Sequence, residues 1–374
     1  MSAYWNPTRR IIADGALGQL CETAARFHPK KVLLVMGKGS FRGSPHHALL
    51  QKGLSGFSVE HAPCVDRSPT TTFIEETCRS LCRERFDLVI GVGGGSVIDA
   101  AKALAILMNQ TGRSLEDYLE KRMEFQRESL PLIAIPTTAG TGSEVTPYAS
   151  LKTKGHQKIS LTHPWIHPRV ALIDPLLTHS MPSYVTACTG LDALSQSIES
   201  YWSIHHSPFS DTHALRAIPL ILRNLEKVLK DPADAQARFV MALASTESGL
   251  AITQTRTTAV HAVSYPLTTF FGIAHGHACA LTLPSFIRYN GPVLEPDRGE
   301  QLWRVLGVTS WEKAAREVER LIDVMGLERS LRKLGLKNGD LNTVIENGFR
   351  SDRAVNNPRE VTKEALHEIL QSIY

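Results

Sequence analysis

Alternation constrains this chain more than any other feature. In its first half, short apolar runs give way repeatedly to helix-patterned stretches. "KVLLVM" at 31–36 reads as a buried strand, and "LVIGVGGGS" at 88–96 as a strand running into glycines. "LPLIAIP" at 130–136 and "RVALIDP" at 169–175 read as two more strands. Between them lie amphipathic patterns, "TTFIEETCRSLCRERF" at 71–86 after Pro69, and "VIDAAKALAILMN" at 97–109. Strands alternating with helices predict a parallel sheet with helices on both faces.

After Pro182 the texture changes. "SYVTACTGLDALSQSIESYW", "THALRAIPLILRNLEKVLK" and "DAQARFVMALASTESGLAI" carry helical periodicity, and β-branched runs become scarce. A chain of 374 residues exceeds one ordinary core. The expectation is two domains: residues 1–181 as an α/β domain and 182–374 as an all-helical one. No internal repeat or low-complexity tract interrupts them.

Charge excludes one class of partner. The net charge is only +4, and the Lys and Arg residues are scattered, which does not fit a nucleic-acid binder. No apolar run reaches membrane-spanning length, and "MSAYWNPTRR" lacks a signal-peptide core, so the cytoplasm is the expected location. Six cysteines in a chain this long read as reduced thiols, although Cys78 and Cys82 fall one helical turn apart.

Gly93, Gly94, Gly95 and Ser96 sit between a strand and a helix start. Glycines there let backbone N–H groups approach a pyrophosphate, and the helix N-terminus adds partial positive charge. The pattern is neither G-x-G-x-x-G nor a P-loop, and a tight strand-to-helix turn is the alternative reading. A second loop, "PTTAGTGSEVT", places Thr137, Thr138, Thr141 and Ser143 after another strand. Two such loops at strand C-termini mark where open α/β sheets bind ligands.

Residues 257–284 are mostly apolar yet carry His261, His275 and His277. Buried polar groups must be satisfied, so these are hydrogen-bonded core histidines, surface loop residues or metal ligands. Asp192 and Gln196 lie four apart on one helix face. If the His261 helix ends near Pro266, "LTTFFGI" can return His275 to the same place. One carboxylate, two imidazoles and an amide oxygen from Gln196 would suit a divalent metal, but spacing alone leaves structural histidines as an equal alternative.

Four motifs occur together and in order: "GVGGGSVIDAAKA", "PLIAIPTTAGTGSEVT", "GLDALSQSIESYW" and "AVHAVSYPL…GIAHGHACALTLP". With them the chain resembles the iron-containing, group III alcohol dehydrogenases over nearly its whole length. The resemblance implies a dehydroquinate synthase-like fold: an α/β domain binding NADPH or NADH, a helical domain holding one Fe²⁺ or Zn²⁺, and an active site between them. Carried over by position, the metal ligands are Asp192, Gln196, His261 and His275. The second is usually histidine, and the histidine often found four residues after the first ligand of "VHA" is here Tyr265. The cofactor contacts implied are Gly93, Gly94, Gly95, Ser96 and Asp99 in the first loop, Thr137, Thr138, Thr141 and Ser143 in the second, and Lys158. Family habit also implies a homodimer.

Within the family, the segments around the metal most resemble the phosphonoacetaldehyde reductase subgroup. That implies reduction of a small anionic aldehyde, phosphonoacetaldehyde, to 2-hydroxyethylphosphonate. The alternatives are an aldehyde or diol dehydrogenase with an uncharged substrate, a polyol-phosphate dehydrogenase or related lyase, and a non-catalytic binding protein. Tyr265, His277 and Arg256 are the candidate catalytic or substrate-contacting groups. A helix spanning Arg256 and His261 would bring the guanidinium near the metal to grip the anion, the bland alternative being a pair with Glu247. Gly37 follows the first predicted strand where many NAD-preferring relatives carry aspartate. With Lys38, Ser40 and Arg42 beside it, a 2′-phosphate should be accepted.

Overall fold

The computed structural model describes residues 4–65, 68–110, 114–120, 122–155, 158–349 and 352–374, with the side chain of Ser40 outside the description. Two compact units emerge. One comprises Trp5–Thr138 and Gly142–Met181; the other comprises Pro182–Tyr374 together with Ala139–Thr141 and Tyr4.

The first unit is built on a six-stranded sheet. Its strands are β1 (Arg9–Ile12), β2 (Lys31–Met36), β3 (Ser58–His61), β4 (Leu88–Gly93), β5 (Leu132–Pro136) and β8 (Val170–Ile173). They run parallel in the order β1-β8-β5-β4-β2-β3. The strand β2 shows why the sequence reads as an unbroken apolar run. Leu33 and Val35 enter the core on one face of the sheet, and Val32, Leu34 and Met36 enter the core on the other. A parallel sheet covered on both sides demands apolar residues at every position. The edge strands β1 and β3 are only half buried, so their sequences carry no such run. An antiparallel hairpin, β6 (Tyr148–Lys152) with β7 (Lys158–Thr162), adds strands that the βα alternation does not foreshadow.

The helix Gly95–Leu107 packs closely on the sheet. A Cβ at Gly91 would lie 2.8 Å from that of Ala101, and one at Gly93 would lie 2.5 Å from Val97 Cγ2. On its buried side, Lys102 Nζ donates to Ser143 Oγ (2.9 Å), Thr146 Oγ1 (3.2 Å) and the Tyr148 carbonyl (2.7 Å). Ser143 Oγ in turn donates to Asp99 Oδ1 at 2.6 Å, and Ser150 N donates to Asp99 Oδ2 at 2.9 Å. This network ties the second small-residue loop to the glycine-loop helix.

The second unit is built of helices joined by loops, with no strand among its described residues. Its central members are the Asp192 helix (Ser183–Trp202), Pro208–Lys230, Ala235–Thr255, the His261 helix (Ala259–Phe271) and the His275 helix (His275–Asn290). Prolines sit inside three of these, at Pro219, Pro266 and Pro284. The His261 helix therefore does not end near Pro266. It runs on to Gly272, whose φ of 71° is the left-handed conformation that glycine adopts at little cost. Gly272 N donates to Thr268 O (3.2 Å) and Ile273 N to Leu267 O (3.4 Å), closing the last turn. Only residues 272–274 separate the two histidine-bearing helices. No described helix is long and apolar enough to cross a membrane.

Candidate metal centre

Three helices bring the site together. Asp192, Gln196 and Glu199 follow each other at helical spacing, so all three lie on one face of the Asp192 helix, and all are buried. His261 is buried in the first turn of its helix, and His275 opens the next. Gly276 lets the His275 helix approach. A Cβ there would lie 1.9 Å from the Cys188 carbonyl oxygen and 3.1 Å from Asp192 Cβ, so only glycine permits this contact.

The two imidazoles are oriented alike. His261 Nδ1 bonds to Glu199 Oε2, and Glu199 Oε1 accepts from the backbone N–H of Thr258 (2.9 Å) and of His261 (3.2 Å). His275 Nδ1 lies 3.2 Å from Ser264 Oγ, whose proton goes to the His261 carbonyl. With Nδ1 the donor in both rings, both Nε2 lone pairs face inward. His261 Nε2 is 3.3 Å from Asp192 Oδ1, and His275 Nε2 is 3.8 Å from it. His261 Nε2 is buried and makes no hydrogen bond. One ligand atom from each of Asp192, His261, His275 and Cys279 lies within 4.8 Å of all the others.

Electrostatics agree. Burial opposes a charge on His261, yet Cys279, Glu199 and Asp192 around it hold its pKa well above the ordinary imidazole range. A cluster that draws a proton so strongly is one that a divalent cation satisfies better. Buried, inward-facing nitrogens beside a carboxylate and a thiol fit Zn²⁺ or Fe²⁺.

Several expected residues are placed differently. Gln196 turns its amide nitrogen to Asp192 Oδ2 (3.2 Å) and its oxygen to Ser248 Oγ (3.0 Å), so it braces the carboxylate and offers the cluster no lone pair. His277 is buried between the Tyr184 hydroxyl at Nδ1 (3.2 Å) and the Glu328 carbonyl at Nε2 (2.7 Å), neither of them part of the cluster. Tyr265 lies against His275, with ring centroids 5.8 Å apart, and Arg353 sits 5.1 Å from its ring centroid. No helix spans Arg256 and His261. Arg256 terminates Ala235–Thr255 with φ 58°, and its Nη1 pairs with Asp352 Oδ2 at 2.9 Å. Glu247 is taken instead by Arg216 and His213. Glu199 and Cys279 were missed from the sequence. Their signals were spacings of seven from Asp192 and four from His275.

In the sheet unit, Gly94 caps the N-terminus of Gly95–Leu107 and a Cβ on it would lie 3.3 Å from Thr138 Cγ2. Thr137 N donates to the Gly93 carbonyl at 3.0 Å, so the two small-residue loops abut. Ser96 lies in the first turn of that helix, and Lys158 opens β7 and exerts an electrostatic pull on Asp99. Asp99 and Ser143 have their side chains committed to the Lys102 network described above. Gly37 follows β2 directly and pairs with Val65 as an isolated bridge, Lys38 comes next, and Arg42 lies in the single turn Ser40–Gly43. Thr141 groups with the helical unit.

One chain thus carries a glycine loop on a parallel sheet and a cluster of metal-ligating side chains on helices. Comparison with known proteins supplies the family. Residues 7–175 match the family described as iron-containing alcohol dehydrogenase, and residues 186–374 match the C-terminal part of the Fe-containing alcohol dehydrogenase family. The chain is 35% identical over 360 residues to long-chain-alcohol dehydrogenase 1 of Geobacillus thermodenitrificans, covering 93% of this chain and 90% of that one. It is 33% identical over 359 residues to phosphonoacetaldehyde reductase of Streptomyces viridochromogenes, covering 91% and 89%. The structure of sulfoacetaldehyde reductase from Bifidobacterium kashiwanohense in complex with NAD⁺ superposes with a TM-score of 0.92 at 31% identity, over 100% of this chain and 98% of that one. The chain belongs to the iron-containing alcohol dehydrogenase family. It is an oxidoreductase, and membership implies NAD(P) and a divalent metal.

Proposed function

We propose that the protein reduces phosphonoacetaldehyde to 2-hydroxyethylphosphonate, using NADPH at least as well as NADH. The observation that carries the anionic substrate is a pair of arginines at the break before His261. Arg256 occupies that break, and Arg353 Nη1 donates to Thr257 Oγ1 at 3.1 Å while its guanidinium sits over Tyr265. Two guanidiniums gathered next to a metal-ligand helix suit a tetrahedral oxyanion, which the Arg fork binds bidentately. The Arg256–Asp352 pair is no obstacle. Arg256 is 27% exposed and Asp352 60%, and such pairs contribute about 0–1 kcal/mol. An incoming dianion can displace that carboxylate. Two of the relatives carry names for reductases of two-carbon aldehydes with an anionic head, which supports the same reading.

Asp192, His261 and His275 would hold the cation. When bound, it supplies Lewis-acid polarisation of the aldehyde carbonyl. The nicotinamide supplies the hydride. The chain's own contribution is orientation: Glu199 and Ser264 fix the ring tautomers, and Gln196 holds Asp192. Tyr265 covers one face of His275, and the arginines fix the anionic end.

The second reading is an uncharged aldehyde or diol substrate, favoured by Asp352 already neutralising Arg256. Steady-state NADPH oxidation with phosphonoacetaldehyde and with propanal decides between them. Arg256→Ala should cost about 2–5 kcal/mol in kcat/KM on the phosphonate and little on propanal. Preference of the unaltered enzyme for propanal would establish the second reading.

A further inference from the structure

We infer that the metal centre takes a sulfur ligand: the thiolate of Cys279 is the fourth donor, with Asp192, His261 and His275. The inference rests on those three residues being metal ligands and adds what completes the set. Cys279 lies one turn beyond His275, so both project from one face of the same helix. Its side chain is fully buried, and its Sγ lies within 4.8 Å of the ligand atoms of the other three. Tetrahedral ligands at bond lengths of about 2.0–2.3 Å stand closer together than this, by an amount that side-chain rotation covers.

The rival fourth donor is Gln196, and its hydrogen bonds disfavour it. The amide nitrogen donates to Asp192 Oδ2, and the amide oxygen faces Ser248 Oγ. Reversing the amide would bring its oxygen against the carboxylate. A donor set of two imidazoles, one carboxylate and one thiolate also selects metals. Sulfur suits Zn²⁺ better than Fe²⁺, so this chain should retain zinc in preference to iron.

The test is spectroscopic and needs no turnover. The purified holoenzyme is analysed for metal, then examined by X-ray absorption at the zinc edge and, after exchange, by the near-ultraviolet absorption of its Co²⁺ form. The expected result is one sulfur scatterer at about 2.3 Å and a thiolate-to-cobalt charge-transfer band. Both should vanish in Cys279→Ser, which keeps the side chain's shape, and persist in Gln196→Ala. Cys279→Ser should bind zinc at least tenfold more weakly. Metal bound by nitrogen and oxygen alone would overturn the sulfur ligand and leave the three-residue site standing. A protein that binds no divalent metal would overturn both.

Discussion

Glu199 grips the outer nitrogen of His261 from the helix that also carries Asp192, so a single helix supplies both a ligand atom and the group that aims a second one. The same carboxylate accepts the backbone N–H of Thr258 and of His261, and therefore also holds the start of the His261 helix. Glu199→Gln keeps the volume but not the charge. Partners behind metal-bound imidazoles typically govern about 10–100-fold in metal affinity. Chelator competition should show a loss of that size with the helical circular dichroism unchanged; unaltered affinity would make Glu199 a structural cap only.

Gly276→Ala should be severe. Its Cβ would lie 1.9 Å from a backbone carbonyl oxygen, which cannot rotate away as a side chain can. The His275 helix must shift, at a cost of about 3 kcal/mol or more. Thermal melts and metal analysis should both register the change, because His275 moves with its helix. A melting temperature within about 1 °C of the parent would contradict the packing described.

Lys102 gives the sheet unit a pH signature. Burial lowers its pKa to about 8, against the opposing pull of Asp99 and Glu144. In the unfolded chain it titrates near 10.4. Between those values the unfolded chain holds more protons, so this group's contribution to stability rises with pH across the window and is lost as pH falls through about 8. The swing is of order 3 kcal/mol. Denaturant titrations at pH 8 and 10 should show this upward component in the parent and not in Lys102→Met.

Cofactor choice should turn on residue 37. A Cβ on Gly37 would stand 3.1 Å from the Val97 Cγ2 methyl, a contact that a small shift relieves. An aspartate there can bond a ribose 2′-hydroxyl and repel a 2′-phosphate. Gly37→Asp should raise the KM for NADPH at least tenfold and leave that for NADH nearly unchanged. Strong NADH preference in the parent, unaltered by the substitution, would remove the proposed 2′-phosphate site.

The buried strands and the long helices were legible because burial on both faces, or on one helical stripe, writes itself into residue order. The strands β1, β3, β6 and β7 were not, since half-exposed strands keep no unbroken apolar run. Asp192, His261 and His275 stood out as polar residues in apolar surroundings. Cys279 did not, because a cysteine in an apolar helix looks like any small core residue until Gly276 is seen to bring that helix onto Asp192. The partner of Arg256 lies 96 residues further along (352 − 256), and no local pattern points to it. Pro266 misled in the opposite direction, as its helix carries on through it.

The turn at Gly272 keeps most of the candidate ligands close together in sequence. His261, His275 and Cys279 belong to one helical hairpin with a three-residue link, whereas Asp192 lies 69 residues upstream of His261 (261 − 192). Closing the hairpin costs little chain entropy; bringing in Asp192 closes a much longer loop. The two histidines and the proposed sulfur ligand thus come from one stretch of neighbouring sequence. An ion held by that hairpin and by Asp192 together would act as a latch, clasping the hairpin to a helix from far upstream.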